Sequence, residues 1–369
     1  MAHFFFALAI WPYALFPAHL ERIGADPFEV GFFMGAAALA GLMVRPLLGY
    51  LLDRKGRRGI LLIGSLIFFI THLLYLTISH LGVGLFGIRF LHGAGTGILT
   101  ATFFTMAADL TPASRQISGI AFFGISGQLG GVISIPVAEK MVQMGGFPFL
   151  FIFCAAGSGI SLLLCFFTHE TACGEVAIEP FWRHAGKPSL HIPLLTTFLF
   201  AIGFASYMVF LKPYAFRVGI DQVAHFFTAY TLSAILVRLI AGDWPERYGP
   251  RLALVIALFL LSLGIILLVL IPTSEGLIAS GILCGLGHGL IVPILSVLVI
   301  GRGGASFRGG FMTLYTMVFD AGFLIGSLIL GLLVKGFNYE IIYITAAALV
   351  MMSALALIFL DRDDPGSVR

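Results

Sequence analysis

Four charged side chains lie inside long apolar runs of this sequence, where an ionised group is energetically unfavourable. Asp320 is the acid among them, and the others are Arg45, Arg89 and Arg238. A carboxyl in apolar surroundings resists ionisation, so Asp320 can take up and release a proton near neutral pH. The alternative is that Asp320 is a fixed partner for Arg45, for Arg238 or for a bent helix backbone. The sequence leaves both interpretations open.

Other residue types that perform chemistry are not arranged for catalysis. The sequence contains no Ser-His-Asp spacing, paired carboxylates, metal-ligand cluster or phosphate-binding loop followed by Lys-Ser/Thr. Three of the four cysteines fall in apolar runs, and no pair has metal-ligand spacing, so we interpret them as packing residues. His72, His225 and His288 are isolated, which favours packing over a proton relay. We therefore expect no enzyme, no metal site and no cofactor.

Twelve apolar stretches long enough to span a membrane run through the sequence. Apolar residues make up 59% of the 369 positions and charged residues 11%, too few charges to cover a soluble domain. A spanning helix needs about 20 mostly apolar residues, and lipid forces its backbone to satisfy its own hydrogen bonds. We predict an all-α membrane protein with twelve transmembrane helices, at residues 3–20, 28–52, 59–79, 82–108, 117–142, 148–168, 191–212, 222–244, 252–271, 276–299, 308–334 and 339–360.

The basic residues predict the orientation of these helices. Most of the 21 lysines and arginines fall in segments that would share one side of the membrane with both termini. Cytoplasmic loops carry such an excess, so we expect a multi-pass inner (plasma) membrane protein with both termini in the cytoplasm. The basic residues form no stripe, so no nucleic-acid partner is expected. The first run has no basic segment before it and no cleavage site after it, so we expect no cleavable targeting segment. The run begins almost at Met1, which leaves open that the given sequence starts inside the first helix of a longer protein.

The two halves of the sequence repeat each other. A shift of 193 residues superimposes Arg45 on Arg238 and the acid Asp53 on the acid Glu246, and shifts of 192 and 191 align glycines in two further pairs of runs. Internal repeats around a midplane site are the architecture of many secondary transporters. We predict six-helix bundles at residues 1–168 and 191–361, a cytoplasmic linker at 169–190 and a cytoplasmic tail at 362–369.

The polar segment between the second and third runs carries the motif Gly49, Asp53, Arg54, Gly56, Arg57 and Arg58. On this motif, known there as motif A, the sequence resembles the major facilitator superfamily. A decayed copy follows at residues 242–251, and the resemblance extends over the twelve helices and both halves. The major facilitator fold of two pseudo-symmetric bundles is what this resemblance implies.

The resemblance also implies that the motif loop is a gate. Asp53 would face the start of the eleventh helix at residues 306–310, where an acid gains about 0.3–1 kcal/mol from exposed N–H groups and the helix dipole. Arg57 would pair with Asp109 at the end of the fourth helix. The alternative is that the basic residues of the loop only fix the membrane orientation.

Further motifs bear on energy coupling. The segment Arg89-Phe-Leu-His-Gly resembles motif B, which implies proton coupling through Arg89, and Asp320 lies in a setting similar to that of proton-linked exporters. A structural hydrogen-bond hub is the alternative for Arg89. The glycines of the fifth helix resemble motif C, the antiporter signature. Here, however, Gly131 is followed by valine and the proline comes only at Pro136, so antiport and export are less directly supported.

A central cavity is implied by the same resemblance, because helices one, seven, eight and eleven face it in the family. An aromatic cavity with few charges suits an amphiphilic or hydrophobic solute better than a phosphorylated one. His288 belongs to this group because its glycine-rich stretch is on a pocket-forming helix in the family. The candidate lining residues are Trp11, Tyr13, Gln128, Tyr207, Tyr230, His288 and Tyr315.

Together these features predict a secondary active transporter that moves a small organic solute by alternating access. Proton-coupled export, as in the drug and sugar efflux branches of the family, is favoured. The alternatives are proton-linked uptake or facilitated diffusion of a small nutrient, or a membrane sensor without transport activity. The expected partners are a small-molecule substrate, protons and membrane lipid, the expected energy source is the proton gradient, and a monomer is expected.

Overall fold

The computed structural model describes residues 1–78, 80–112, 115–171, 185–304 and 308–360, and these residues contain helices and no strands. Within them, twelve long helices follow one another, and the longest stretch between two of them is residues 166–187, in the middle of the chain. They are α1 Ala2–Arg22, α2 Pro27–Lys55, α3 Arg58–Leu74, α4 Val83–Leu110, α5 Gln116–Gly145, α6 Phe147–Cys165, α7 Pro188–Arg217, α8 Ala224–Ala241, α9 Pro250–Leu270, α10 Ser274–Gly303, α11 Arg308–Gly336 and α12 Tyr339–Phe359.

The prediction of an all-α membrane protein is confirmed. In the described part of the chain, eleven helices are long and apolar enough to cross a membrane. The other long helix, α4, has 28 residues and therefore spans about 42 Å at about 1.5 Å per residue. Arg89, His92 and the glycines of α4 lower the hydropathy of this helix. Arg89 and His92 are buried inside the bundle and do not face the lipid.

The helix ends differ from the predicted ones where polar residues extend a helix beyond the apolar run. Helix α7 begins at Pro188 and continues to Arg217, past both predicted edges. The predicted run 222–244 ends at Ala241, and a short separate helix, Trp244–Tyr248, follows because Pro245 occupies its first turn. Residues 172–184 of the predicted linker and 361–369, which include the predicted tail, lie outside the described residues.

Helix α1 is not a continuous α-helix. It consists of α-helical segments at Ala2–Ile10 and Phe16–Arg22, joined by a 3₁₀ segment at Trp11–Leu15. Pro12 lies at the start of this segment and removes a backbone N–H donor, which explains the tighter turn. The change of winding occurs where Trp11 and Tyr13 reach the interior of the bundle.

Two helix pairs join the halves of the molecule: α2 packs against α11, and α5 packs against α8. Close approach in the first pair depends on small residues, since an added Cβ at Gly31 would collide with the Ser327 carbonyl. We call the end of the bundle that holds the N-terminus and the α2–α3 loop the terminal face. The other end, which holds the α1–α2 loop, is the opposite face.

Candidate functional site

A cavity of about 390 Å³ lies between the two halves, roughly midway along the helices. Ligand pockets of small-molecule binding proteins typically measure about 300–1,000 Å³. Both halves contribute to its walls, through α1, α2, α4 and α5 on one side and α7, α8, α10 and α11 on the other. The charged residues in the lining are Arg45, Arg89, Arg238 and Asp320.

Asp320 forms an ion pair with Arg45 in this cavity. Its Oδ2 accepts a hydrogen bond from Arg45 Nε at 2.6 Å, and the two side chains are 13% and 5% exposed. The pair joins α11 of one half to α2 of the other. Gly41 makes room for it, because a Cβ there would collide with the Asp320 carboxylate. Of the three partners considered from the sequence, the structure therefore selects Arg45.

Arg89 is held by backbone carbonyl groups. Its Nε donates to the Phe33 carbonyl at 3.0 Å, its Nη2 to the Met34 carbonyl at 3.3 Å, and its Nη1 to the Tyr75 hydroxyl at 3.4 Å. The guanidinium carbon lies 5.2 Å from the centre of the Phe16 ring. Every nitrogen of the guanidinium is occupied, and the side chain connects α4 to α2 and to the 3₁₀ turn Tyr75–Thr77 that follows α3. This geometry corresponds to the alternative interpretation of Arg89, a structural hydrogen-bond hub.

Arg238 is the counterpart of Arg45 in the second half, but its surroundings are different. It is 8% exposed, and its Nε donates to the Gly289 carbonyl at 2.9 Å. Nη1 reaches across the interface between the two halves, which we call the seam, to α5 of the first half. A Cβ on Gly124 would collide with it there. Among the described residues, no carboxylate pairs with Arg238 and no further hydrogen bond is made by it.

Four of the predicted cavity residues line this space: Trp11, Tyr13, Gln128 and His288. Trp11 Nε1 donates to the Gly127 carbonyl at 3.0 Å, which fixes the indole against α5. Gln128 Oε1 and His288 Nδ1 are buried and have no hydrogen-bond partner among the described residues. They are polar groups of the kind that a bound solute can satisfy.

Three predicted cavity tyrosines are not part of the lining. Tyr207 and Tyr230 are completely buried and Tyr315 is 4% exposed. Tyr230 packs behind the wall, with its ring centre 5.3 Å from that of His288 and 5.9 Å from that of Trp11. Helix assignment alone could not place these residues, because only a narrow stripe of each helix faces the cavity.

Sequence reasoning overlooked two histidines of the lining. His3 stacks on Phe123 with ring centres 4.5 Å apart and bonds through Nδ1 to Ser126 Oγ at 2.7 Å. His92 lies in the cavity wall 5.3 Å from His72 and 4.3 Å from Tyr13, measured between ring centres. His72, interpreted as isolated, is therefore part of an aromatic cluster, while His225 is exposed. The sequence signal that could have identified His92 was its position on α4, one helical turn after Arg89.

The motif loop lies at the terminal face, where Arg57 pairs with Asp109 as predicted. Arg57 Nε donates to Asp109 Oδ2 at 3.0 Å. Gly56 has φ +84°, a left-handed conformation that favours glycine. The carboxylate of Glu170 accepts hydrogen bonds from the N–H groups of Arg57 and Arg58 at 2.8 and 3.1 Å, and so satisfies donors at the start of α3.

The contact predicted between Asp53 and residues 306–310 lies outside the described residues, as do the side chains of Asp53 and Arg54. Gly49 contacts α11, since an added Cβ would lie 3.2 Å from Thr313 Oγ1. In the decayed copy of the motif, the acid that corresponds to Asp53 is Glu246, and it contacts a helix start in the first half. Glu246 Oε1 accepts from the Ser118 N–H at 3.2 Å, in the first turn of α5.

Charged contacts also join the two halves at the opposite face. Glu139 of α5 pairs with Lys212 of α7 at 3.1 Å and accepts from the N–H groups of Val223 and Ala224 at the start of α8, at 3.0 and 3.2 Å. None of these contacts was anticipated from the sequence.

A second opposite-face pair is more exposed. Lys335 Nζ lies 2.7 Å from Asp26 Oδ2, and Asp26 caps α2 through the Glu29 N–H at 2.9 Å. The hydrogen bond from Lys335, and then that from the Glu29 N–H, lower the pKa of the Asp26 carboxyl below its ordinary value.

Comparisons with known proteins agree with this architecture. The sequence profile of the Major Facilitator Superfamily matches residues 1–189 and 193–369. An uncharacterised MFS-type transporter of Salmonella typhimurium is 23% identical, over 95% of this chain and 92% of its own. Multidrug resistance protein 2 of Bacillus subtilis is 22% identical, over 64% of this chain and 62% of its own. The crystal structure of the human organic anion transporter MFSD10 superimposes with a TM-score of 0.78 at 18% identity, covering 96% of this chain and 97% of that one.

Proposed function

Because the chain belongs to the major facilitator superfamily and is a multi-pass membrane transporter, we propose that it exports a small amphiphilic organic solute in exchange for protons. It would do so in the inner membrane, with both termini in the cytoplasm. The single observation that carries the proposal is the buried Arg45–Asp320 pair, which lies in the wall of a cavity between the two halves.

The position of this pair suggests how proton binding would be coupled to movement. A proton taken up by Asp320 neutralises the carboxylate and leaves Arg45 without its counter-charge. Because Arg45 is on α2 and Asp320 on α11, the change weakens the contact between halves at the level of the cavity. A solute bound in the same cavity would be affected by the same change. Alternating access requires this kind of link between occupancy and the packing of two bundles.

The amphiphilic solute is supported by the chemistry of the walls. Aromatic and aliphatic side chains provide most of the lining, while polar groups such as Gln128, Thr96 and His288 are few. Such pockets bind the apolar body of a ligand by burial and orient it through a small number of hydrogen bonds. The similarity to Multidrug resistance protein 2 is consistent with export.

The direct test is a transport assay in proteoliposomes with an imposed pH gradient. For the exporter we expect a labelled solute from a screen to move against its own gradient while protons move in the other direction. Transport that ignores the pH gradient would contradict proton coupling, and movement of solute and protons in the same direction would contradict exchange.

Asp320→Asn is the matched variant for this assay. It keeps the shape of the side chain but removes its ability to gain and lose a proton, so gradient-driven transport should be lost while the protein remains folded. The control is Asp243→Asn, which neutralises an exposed acid of an ion pair within one half. Gradient-driven transport by Asp320→Asn at the wild-type rate would remove Asp320 from the coupling mechanism.

A further inference from the structure

The charges that line the cavity do not balance. Its described lining contains three arginines and one acid. Arg45 and Asp320 neutralise each other, and Arg89 uses all its nitrogens on neighbouring oxygen atoms. Arg238 remains with its charge uncompensated by any described carboxylate. A buried guanidinium inside a membrane is energetically unfavourable, so such a residue marks a functional site unless a partner is present.

Arg238 lines the cavity, and the end of its guanidinium is the part without hydrogen-bond partners among the described residues. The Gly289 carbonyl occupies only Nε, and both terminal nitrogens lack a hydrogen-bond partner among the described residues. Nη1 and Nη2 present two parallel N–H groups, the arrangement that binds a planar carboxylate through two hydrogen bonds. The bond to Gly289 fixes the guanidinium, so little side-chain freedom remains to be lost when an anion binds.

Other unpartnered polar groups lie near this position. His288 directly precedes Gly289, and its Nδ1 is buried without a hydrogen-bond partner among the described residues. Gln128 lies one helical turn after Gly124, the residue beside which Arg238 Nη1 rests. Its Oε1 is buried without a partner among the described residues, and the NH₂ group of the same side-chain amide is a donor for an anion. These two groups can provide further hydrogen bonds to the same carboxylate.

The other residues of the cavity lining indicate what the rest of the ligand is like. Phe204, Phe319 and Phe323 from α7 and α11 and Trp11 from α1 surround the space next to these polar groups. The ring centres of Phe204 and Phe319 are 5.5 Å apart, so the surface is continuous and apolar. A cationic solute has no free acid in the described lining, because Asp320 is already paired with Arg45.

We infer that the cavity selects small organic anions, specifically monocarboxylates with an aromatic or aliphatic body, and that Arg238 binds the carboxylate. This inference rests on the proposed function, since it names the substrate class of the same cavity. The anion completes the ion pair that Arg238 lacks, and its body is buried against the aromatic rings. Because Arg238 is on α8 and its guanidinium touches α5, the bound anion lies at the seam between the halves.

Binding of three probes that share one ring system tests the inference: naphthoate, naphthamide and naphthylmethylamine. They carry a negative charge, no charge and a positive charge. Equilibrium dialysis against the purified full-length protein in lipid nanodiscs gives their dissociation constants. We expect naphthoate to bind at least about tenfold more tightly than naphthamide, because the charged hydrogen bonds are worth more than neutral ones, and the amine to bind most weakly.

Two variants act on the same interaction from opposite halves. Arg238→Gln removes the charge and should abolish the preference for naphthoate, with little change for naphthamide. Gly124→Ala keeps the arginine in the sequence, but the added methyl group would collide with Nη1 and displace the guanidinium, so it should reduce the preference as well. The control is Arg251→Gln at the terminal face, which removes an arginine whose Nε likewise donates to a carbonyl, that of Leu357 at 3.0 Å.

The possible outcomes separate this inference from the proposed function. Equal or tighter binding of the neutral or cationic probe by the wild type would overturn the anion site, and so would a preference that survives Arg238→Gln in a folded protein. Export of a monocarboxylate by Arg238→Gln at the wild-type rate would leave the transporter intact and refute the site. Arg238-dependent naphthoate binding without any solute flux would support the site and refute transport.

Discussion

Each buried charge near the cavity is stabilised in a different way, and this determines what each residue can do. Arg45 has an ionic partner, Arg89 has carbonyl partners, and Arg238 has one carbonyl and a free end. The carboxyl of Asp320 is a group that can gain and lose a proton, whereas Arg89 stays charged and its hydrogen bonds to backbone oxygen atoms hold helices together. The sequence could not separate these roles, because all three arginines are single charges in apolar runs.

Arg89→Ala is expected to lower stability without altering proton coupling. The substitution leaves the Phe33 and Met34 carbonyl groups and the Tyr75 hydroxyl without their donor. A buried polar group that loses its partner costs about 1–3 kcal/mol. The thermal unfolding midpoint of the purified protein should therefore fall clearly, while folded protein retains the wild-type dependence of transport on pH.

The control for this experiment is Arg217→Ala. Arg217 is exposed and lies over the Tyr339 ring at 4.8 Å, a contact worth about 0.5–1 kcal/mol. Its removal should shift the midpoint only slightly. An Arg89→Ala protein as stable as the wild type, but with transport that no longer responds to the pH gradient, would assign Arg89 to coupling and refute the hub.

At the scale of helices, glycines set the distances on which the cavity depends. Gly93 lets α4 touch the backbone of α2 at the Ala37 carbonyl, and Gly127 of α5 leaves space for the ring of His3. Gly49 brings the end of α2 close to Thr313 of α11. The glycine motifs are thus contact surfaces between helices, and the motif alone does not say which helix each one meets.

A cross-link between α2 and α11 at the terminal face should arrest transport. A Cβ at position 49 would lie 3.5 Å from the Thr313 Cβ, at the lower end of the usual disulfide range of about 3.5–4.5 Å. In a background without native cysteines, oxidation of a Gly49→Cys, Thr313→Cys protein should lock the two halves. Solute flux should stop and return on reduction.

The matched control places the cross-link within one half. A Cβ at position 157 on α6 would lie 3.5 Å from the Ala9 Cβ on α1, so Gly157→Cys with Ala9→Cys offers the same geometry. Oxidation of this pair should leave transport unchanged, because α1 and α6 belong to the same bundle. Undiminished flux in the oxidised 49–313 protein would show that this end of the seam does not open.

At the scale of the whole molecule, contacts between the halves close the seam above and below the cavity. At the terminal face Glu246 meets Ser118, and at the opposite face Glu139 meets Lys212 and the start of α8. The buried pair Arg45–Asp320 lies between these levels. In the alternating access that we propose, movement of the bundles would break the contacts of one face at a time, so the balance between the two faces would set which side is open.

Glu139→Gln is expected to favour opening at the opposite face. The carboxylate is 8% exposed and receives a lysine and two N–H groups, and hydrogen bonds to a charged group are worth about 1.5–3 kcal/mol. Loss of the charge should shift the equilibrium about tenfold or more towards the open form. A cysteine at Gln143, in the pocket lined by Glu139 and Lys212, should then react faster with a membrane-impermeant thiol reagent applied to that face.

Asp243→Asn is again the control, since its ion pair with Arg247 lies within one half and is exposed. It should leave the labelling rate at position 143 unchanged. Equal labelling of the Glu139→Gln and wild-type proteins would mean that this contact does not keep the opposite face closed.

The sequence determined the helices, because hydrocarbon-length apolar runs can satisfy their backbone only as helices, and it determined the duplication through the repeated motif positions. It also predicted the pair Arg57–Asp109, where a resemblance supplied the partner.

The sequence could not predict which side chains share the cavity. His3 and Arg238 are 235 positions apart and meet in the same lining, whereas Tyr315, five residues before Asp320, does not reach it. Which stripe of each helix faces inward depends on rotation and close packing between helices distant in sequence. Only the tertiary structure decides which arginine has a counter-charge and which does not.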